Sequence, residues 1–470
     1  MDAKNTLPDL LDERPRTVPA FDPGYRPMGP AFMKYRKAVK DSGKGVPVRI
    51  GVERENRLVS VFVTEDFPPG GATDAATAYY AERIVKFLLW SRGGWKVHIQ
   101  GPKEVGDLIR KAYAPDGARA FDVSLMDRVY EKPFEVVSVG PADFPASRES
   151  ESALGGHLDG CRVGFDLGAS DFKVAAVKDG EPVYSEEIPW TPGEKADPDY
   201  HISSIRDGLK KAASHLPRVD AVGGSSAGIY IDNQVRIASL FRSVPLDVFD
   251  RKVKNMFNVM KAEWGVPFKV INDGEVTALA GTMSLGAKAM LGVAMGSSQA
   301  GGFLNADGHI PGWLDELAFA PLDASPDAVA DEWSGDRGVG ANYFSQQAVN
   351  KLALSAGVAF PNEMRLPERL KHVQALAENG DAKARRIFAD IGIYLGYTVP
   401  FYEMFYDYRN LLVLGRVMSG VGGDIIMEAA GKILREEFPG TAGRVRLHLL
   451  DEKSRRVGQA VAAASLPRIR

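Results

Sequence analysis

Val163-Gly-Phe-Asp166-Leu-Gly168-Ala169-Ser170-Asp-Phe-Lys173-Val-Ala-Ala-Val177 reads as two apolar strands joined by a tight turn with one carboxylate and one glycine. Such a β-hairpin brings backbone N–H groups, the Ser170 hydroxyl and the Lys173 ammonium towards a phosphate chain. Asp166 is placed to hold a metal-bound water. The chemistry this points to is phosphoryl transfer from ATP, with Mg2+ held by Asp166 through water.

Three further segments have the shape that such chemistry needs. Val270-Ile-Asn272-Asp273-Gly274-Glu275 is an apolar strand that ends in Asn-Asp and turns into a helix. A carboxylate at a strand end is fixed by the sheet yet open to a cleft, which suits Asp273 as general base on a substrate hydroxyl. Asn272 beside it offers donors and an acceptor to sugar or polyol hydroxyls. Helix N-capping is the commoner role for an Asp at this position. Val293-Ala-Met-Gly296-Ser297-Ser298-Gln-Ala-Gly301-Gly302 is a strand, a small-residue turn and a strand. Its backbone N–H groups can approach phosphate oxygens closely. Leu411-Leu-Val-Leu-Gly415-Arg-Val-Met-Ser419-Gly420-Val-Gly422-Gly423 is a buried strand, a Gly/Ser turn and a helix start, which suits a nucleotide.

Composition excludes several alternatives. The 470 residues suffice for two or three domains, and 45% hydrophobic with 25% charged residues is ordinary for a globular chain. A net charge of -3 gives no electrostatic ground for nucleic acid or an anionic membrane as partner. The single cysteine, Cys161, rules out an intrachain disulfide framework and a multi-cysteine zinc site. No apolar run approaches the roughly 20 residues of a membrane-spanning helix, and the first residues lack a signal pattern. A cytoplasmic location is expected. The seven histidines form no HxH or HxxxH pair, so they suggest no metal site.

Patterning predicts five regions. Residues 1–45, rich in proline and charge, read as an extended N-terminal arm. An accessory α/β domain follows over 46–140, with a hairpin from Val48 to Val63, a helix from Asp74 (its expected cap) to Ser91, and further elements at 95–99, 102–113 and 134–139. Residues 141–160 read as a linker, 161–288 as a first lobe and 289–470 as a second lobe whose last helix returns to the first. Within the lobes, strands are expected near 162–167, 172–178, 219–224, 268–272, 290–295, 301–305 and 411–415. Helices are expected near 200–215, 246–264, 274–285, 344–355, 367–376, 382–407, 422–437 and 455–464. The aromatic series Tyr394, Tyr397, Phe401, Tyr402, Phe405, Tyr406 and Tyr408 reads as a helix packed on a lobe. Trp313 and His309 read as loop residues.

From Arg162 to Leu466 the set resembles the ROK family of bacterial sugar kinases and repressors, within the actin-like ATPase superfamily. The resemblance implies an actin-like (ribonuclease H-like) two-lobed ATPase fold with an additional N-terminal α/β domain. Asp166, Gly168, Ala169, Ser170 and Lys173 resemble the family's first phosphate loop. Gly296, Ser297 and Ser298 resemble the second, and Gly415, Ser419, Gly420 and Gly422 its adenosine segment. Asp273 resembles the catalytic base and Asn272 its sugar-binding neighbour. Gly223-Gly-Ser-Ser226-Ala-Gly228 and Ile231-Asp232 resemble segments that frame the sugar, which implies roles for Ser226 and Asp232. Asp315-Glu316-Leu-Ala-Phe319 resembles the family's Gly-Glu-x-Gly-His segment and retains the sugar-binding glutamate as Glu316. Phe319 stands where that segment has a zinc-binding histidine, and residues 330–343 contain no cysteine, so no zinc site is implied. The implied activity is ATP- and Mg2+-dependent phosphorylation of a sugar-like hydroxyl by a homodimer. The alternative is a catalytically inactive sugar or nucleotide sensor on the same fold.

Overall fold

The structure is a computed structural model and describes residues 7–149, 155–169, 171–449 and 452–469. Contacts divide the chain into two units: Met1–Ser150, Ala294–Gly301 and Gly312–Leu449 form the first, and Glu151–Val293, Gly302–Pro311 and Leu450–Arg470 the second. Among the described residues no helix is long and apolar enough to cross a membrane.

The second unit is built on the opening hairpin. Strands β5 (Cys161–Leu167), β6 (Asp171–Lys178), β7 (Glu181–Pro189), β8 (Ala221–Ser226) and β11 (Phe268–Asn272) form one sheet in the order β11-β8-β5-β6-β7. The β5-β6-β7 meander is antiparallel, whereas β8 and β11 run parallel to β5. Every residue of β5 is buried, as expected for a strand covered on both faces. On one face Phe165 and Val222 join a core with Leu209 of helix α5 (Pro198–Ala213) and Phe257 and Met260 of α7 (Met256–Trp264). On the other lies α14 (Glu452–Ala464), whose Ala460 and Ala464 pack on Ala175 and Val177. That approach requires glycine. A Cβ on Gly164 would lie 1.9 Å from the Ala460 carbonyl oxygen, and one on Gly223 would lie 1.7 Å from that of Ala463.

The unit is completed by the hairpin β9 (Ile229–Ile231) and β10 (Gln234–Ile237), the short helix α6 (Leu246–Val248) and α8 (Asp273–Leu285). The helix expected over 246–264 is interrupted by a π-turn at Phe249–Val253. Strands β12 (Met290–Met295), β13 (Gln299–Leu304), β14 (Asn410–Leu414) and β15 (Arg446–Leu449) make a further sheet in the order β13-β12-β14-β15.

In the first unit, β1 (Val46–Glu53), β2 (Val59–Asp66), β3 (Lys96–Gln100) and β4 (Glu135–Ser138) form a sheet in the order β2-β1-β3-β4. Around it lie α1 (Met28–Ser42), α2 (Asp74–Arg92), α3 (Lys103–Ala112) and α4 (Ala120–Tyr130). The same unit contains α9 (Gln346–Ser355), α10 (Leu366–Glu378), α11 (Ala382–Tyr402), α12 (Val421–Glu437) and α13 (Pro439–Arg444).

The structure corrects the reading of 1–45 as an extended arm, because Met28–Ser42 is helical. Phe32, Tyr35 and Val39 recur at helical spacing and are buried, and Pro30 falls in the first turn, where its missing N–H is not needed. Ahead of the helix, the Ala20 and Phe21 N–H groups donate to the buried Asp390 carboxylate on α11. Helix α4 and strand β7 were also not anticipated. Thr73, not Asp74, occupies the N-cap position of α2; Asp74 accepts from the Gly70 and Gly71 N–H groups. The stretch expected as a linker is partly tied down: Arg148 bridges to Val59 and Glu149 pairs with Arg54, while 150–154 lie outside the described residues.

Two stability measurements follow from this packing. Gly164→Ala drives a methyl into the α14 backbone and is expected to cost about 3 kcal/mol in urea denaturation; a loss under about 1 kcal/mol contradicts the close contact. Asp66 is fully buried with Oδ2 unpartnered and the Tyr35 hydroxyl 3.4 Å from Oδ1, and burial raises its carboxyl to about 7. Its folded-state value lies above the unfolded one, so the stability it contributes in acid is lost as pH rises through about 7. Asp66→Asn is therefore expected to raise the thermal midpoint at pH 8 and raise it much less at pH 5.

Candidate functional site

Register places the first group of residues. Asp166↔Ser225 and Leu167↔Ser226 on β5 and β8, with Ile271↔Ser225 and Asn272↔Ser226 on β11 and β8, align the carboxyl ends of three parallel strands. Ligands of open α/β sheets bind at such ends.

Asp166 is 6% exposed, and its Oδ1 accepts from Ser225 Oγ at 2.6 Å. Lys173 Nζ lies 3.7 Å from Asp166 Oδ2 and 3.5 Å from Asp171 Oδ1. Burial raises the Asp166 carboxyl, with Lys173 and the Ser225 hydroxyl pulling the other way. Ser225 was not singled out in the sequence, because only the strand register shows that it shares a face with Asp166.

Asp273 opens α8 and is half-buried. Desolvation raises its carboxyl to about 6, and the charge of Asp166 adds to the rise. Asn272 is the N-cap of α8: its Oδ1 accepts from Gly274 N at 2.7 Å and its Nδ2 donates to Gly228 O at 2.7 Å. The N-cap is therefore Asn272, while the N–H groups of Asp273 and Gly274 favour the charged form of the Asp273 carboxylate against its desolvation. Backbone groups thus engage both ends of the Asn272 amide.

Ser226 is buried and its hydroxyl lies 2.6 Å from that of Tyr230. Asp232 is not brought to Asp273. It sits at φ +51 in the exposed β9–β10 turn, and the side chain of adjacent Asn233 binds Phe268 O and Val270 N, towards the opposite end of β11 from Asn272. In the first turn, Gly168 N–H donates to Asp171 O at 3.0 Å and Gly168 O accepts from Trp190 Nε1 at 2.8 Å. Ala169 is exposed, and Ser170 lies outside the described residues.

The first unit contains the other turns. Gly296 N–H donates to Ser298 O at 2.9 Å, and Ser297 and Ser298 are exposed. Gly415, at φ +105, packs so tightly that a Cβ would lie 2.4 Å from Met295 O; the Gly415 turn therefore lies against the residue before Gly296. Gly420 is the N-cap of α12, and the Val421 N–H donates to Glu378 Oε1 of α10 at 2.7 Å. Gln374 of α10 donates to Arg416 O and Ser419 O. The amide end of α12 thus already meets a protein carboxylate, a contact between helices that no local pattern reveals. Gly422 is buried against the Phe388 ring, and Glu316 is half-buried. Trp313 is a packing residue: its ring carries the Arg92 guanidinium 3.4 Å from the centroid.

Among the described residues no group of three or more His, Cys, Asp and Glu gathers as a metal cage. Asp166 is a single carboxylate, a hard oxygen donor of the kind that fits Mg2+ whose shell is completed by phosphate oxygens and water.

No protein-family profile matches the chain, and no curated protein matches it. Solved structures do. A ROK family transcriptional regulator, homolog of E.coli MLC protein, matches with a TM-score of 0.52 at 18% identity, over 66% of this chain and 78% of that one. The ROK hexokinase from Thermus thermophilus matches with a TM-score of 0.50 at 18% identity, over 64% and 97%. The chain has the ROK fold. This is an actin-like ATPase fold, in agreement with the strand order of the β5 sheet. At 18% identity the ROK likeness is one of fold, and its two examples, a regulator and a hexokinase, differ in activity.

The Asn272 assignment is open to test. Asn272→Ala removes the α8 cap and the Gly228 bond and is expected to destabilise by about 1–2 kcal/mol, read from urea denaturation. An unchanged midpoint removes the capping role.

Proposed function

We propose that this chain is a ROK-type carbohydrate kinase that transfers the γ-phosphoryl group of ATP to a sugar or sugar-like hydroxyl, with Asp273 as general base. The observation that carries this reading is the Asp273 carboxylate itself. It stands at the carboxyl end of the sheet, at the start of α8, with an affinity for protons raised to about 6 by burial and the charge of Asp166. A base of that strength is ionised at neutral pH yet more basic than an ordinary aspartate.

In the proposed reaction the substrate hydroxyl oxygen bonds to the γ-phosphorus as the bond to the β,γ-bridging oxygen breaks. The hydroxyl proton passes to Asp273, and ADP leaves. Asp166 would hold Mg2+ through water, and the ion would supply neutralising charge for the phosphates. Lys173 adds positive charge beside Asp166. The Gly168–Ser170 and Gly296–Ser298 turns are assigned to the phosphates, Gly415 to Gly420 to the adenosine, and Glu316 to the acceptor. Since Gly168 and Gly296 direct their own N–H groups back into their turns, neighbouring amides would have to receive the phosphate oxygens. A homodimer in the cytoplasm is part of the same proposal.

A second reading, a catalytically inactive ROK-fold sensor of sugar or nucleotide, is favoured by the α12 terminus. There Glu378 holds the Val421 N–H that an anionic ligand would seek. Calorimetry with ATP–Mg2+, followed by coupled ADP release over a hexose panel, separates the two. The kinase reading expects turnover whose kcat/KM falls as pH drops through about 6, because protonation removes the base. Asp273→Asn is expected to lower kcat by about 10²–10⁴ with the fold retained. Turnover undiminished in Asp273→Asn would remove Asp273 from this role.

A further inference from the structure

We infer that the C-terminal end of α2 positions the acceptor-binding segment, with Arg92 as the positioning residue; this rests on the kinase reading and on Glu316 as an acceptor ligand. The segment Gly312–Phe319 contains no regular element beyond the short turn Leu317–Phe319. At its centre, directly before Glu316, Asp315 adopts φ +49. A non-glycine residue persists in that region when its surroundings over-determine it, and such residues cluster at functional sites.

Helix α2 supplies much of that constraint. The Asp315 N–H donates to Ser91 O at 3.0 Å, and the Leu314 N–H to Arg92 O at 3.2 Å. These are last-turn carbonyls, which lack partners within their own helix. The Tyr406 hydroxyl donates to Asp315 Oδ1 at 2.6 Å, and Trp313 Nε1 to Glu149 Oε2 at 2.9 Å. Trp90 meets the Phe319 ring at 4.4 Å, so three successive α2 residues grip the segment on both sides of Glu316.

Arg92 is the centre of the grip. Its guanidinium is 3.4 Å from the Trp313 ring centroid and 4.6 Å from that of Tyr406, and its Nη2 donates to Phe405 O. Its Nη1 is buried without a hydrogen-bond partner. The group is therefore held chiefly by its flat faces, a role a lysine ammonium does not fill. Burial lowers its affinity for protons, while Asp315 and Glu149 favour the charged form.

The test compares wild type, Arg92→Ala, Arg92→Lys and Asp315→Gly with ATP–Mg2+ and a panel of hexoses. Arg92→Ala is expected to raise the acceptor KM tenfold or more and leave the ATP KM within twofold, and Arg92→Lys not to restore it. Asp315→Gly, which relieves the strained backbone without emptying the stack, is expected to raise the acceptor KM as well and covers the case in which Arg92→Ala fails to fold. Folded variants with wild-type acceptor KM overturn this inference and leave the kinase reading intact. If wild type binds hexose in calorimetry without turning it over, the kinase reading fails and the same tenfold change is read in the hexose Kd. Wild type that neither binds nor phosphorylates any hexose overturns both.

Discussion

The first unit depends on burial of one aromatic helix face. Helix α11 and the turn after it present Tyr394, Tyr397, Phe401, Tyr402, Phe405 and Tyr406, all buried. Their partners come from the N-terminal part of the chain: Tyr25 lies 4.7 Å from Tyr394, Phe32 5.5 Å from Phe401, and Phe87 3.9 Å from Phe405 between ring centroids. Aromatic pairs of this kind contribute about 0.5–1.5 kcal/mol each beyond the area they bury. Stripped of α1 and α2, α11 would expose a continuous aromatic stripe. The N-terminal region is therefore part of the core of its unit and not an ornament on it, which is why α2 can reach the segment that carries Glu316.

Charge reinforces this packing. Asp336 accepts from Lys86 at 3.0 Å and Arg119 at 2.8 Å, with Arg83 at 3.5 Å, while Glu82 pairs with Arg83 and Arg119 and Asp122 with Lys86. Three cations of α2 and its neighbourhood thus hold the loop around Asp336 in the region where the family resemblance would place a zinc loop. Each carboxylate in this cluster has cationic partners. Asp122 of this cluster is raised by burial against the pull of Lys86, as Asp166 is against that of Lys173; for Asp273 the charge of Asp166 adds to the effect of burial. A fold keeps an arrangement of that kind at the cost of stability, and sites of catalysis are where such costs concentrate.

The strand patterns of the second unit were legible because β5, β6 and β11 are short, mainly apolar segments bounded by turn residues and β8 starts from Ala221-Val222, and the edges of all four moved by at most two residues. Helix α1 was missed because Gly29 and Pro30 look like turn signals, and tertiary burial of Phe32 and Tyr35 outweighs that local preference. In the site, Asp273 and Asp166 were recognisable from their positions at strand ends. The capping role of Asn272 was not, since its bonds to Gly274 and Gly228 exist only once β11, α8 and the Gly228 turn come together. The place of Asp232 in an exposed turn was not legible for a related reason: nearness in sequence to the Gly223–Gly228 strand says nothing about which way the next hairpin folds.

By itself the sequence determined the alternation of strands and helices, the glycines that permit α14 to lie on the sheet, and the carboxylates at the strand ends. These are local properties, set by periodicity and by side-chain chemistry within a few residues. Tertiary structure decided which groups share a face, as Ser225 does with Asp166, which amides are already engaged, and that Glu378 of a distant helix caps α12. It also decided that the end of α2 grips the chain on both sides of Glu316. Those facts depend on register and on packing between elements far apart in sequence, where a one-residue shift along a strand exchanges one face for the other.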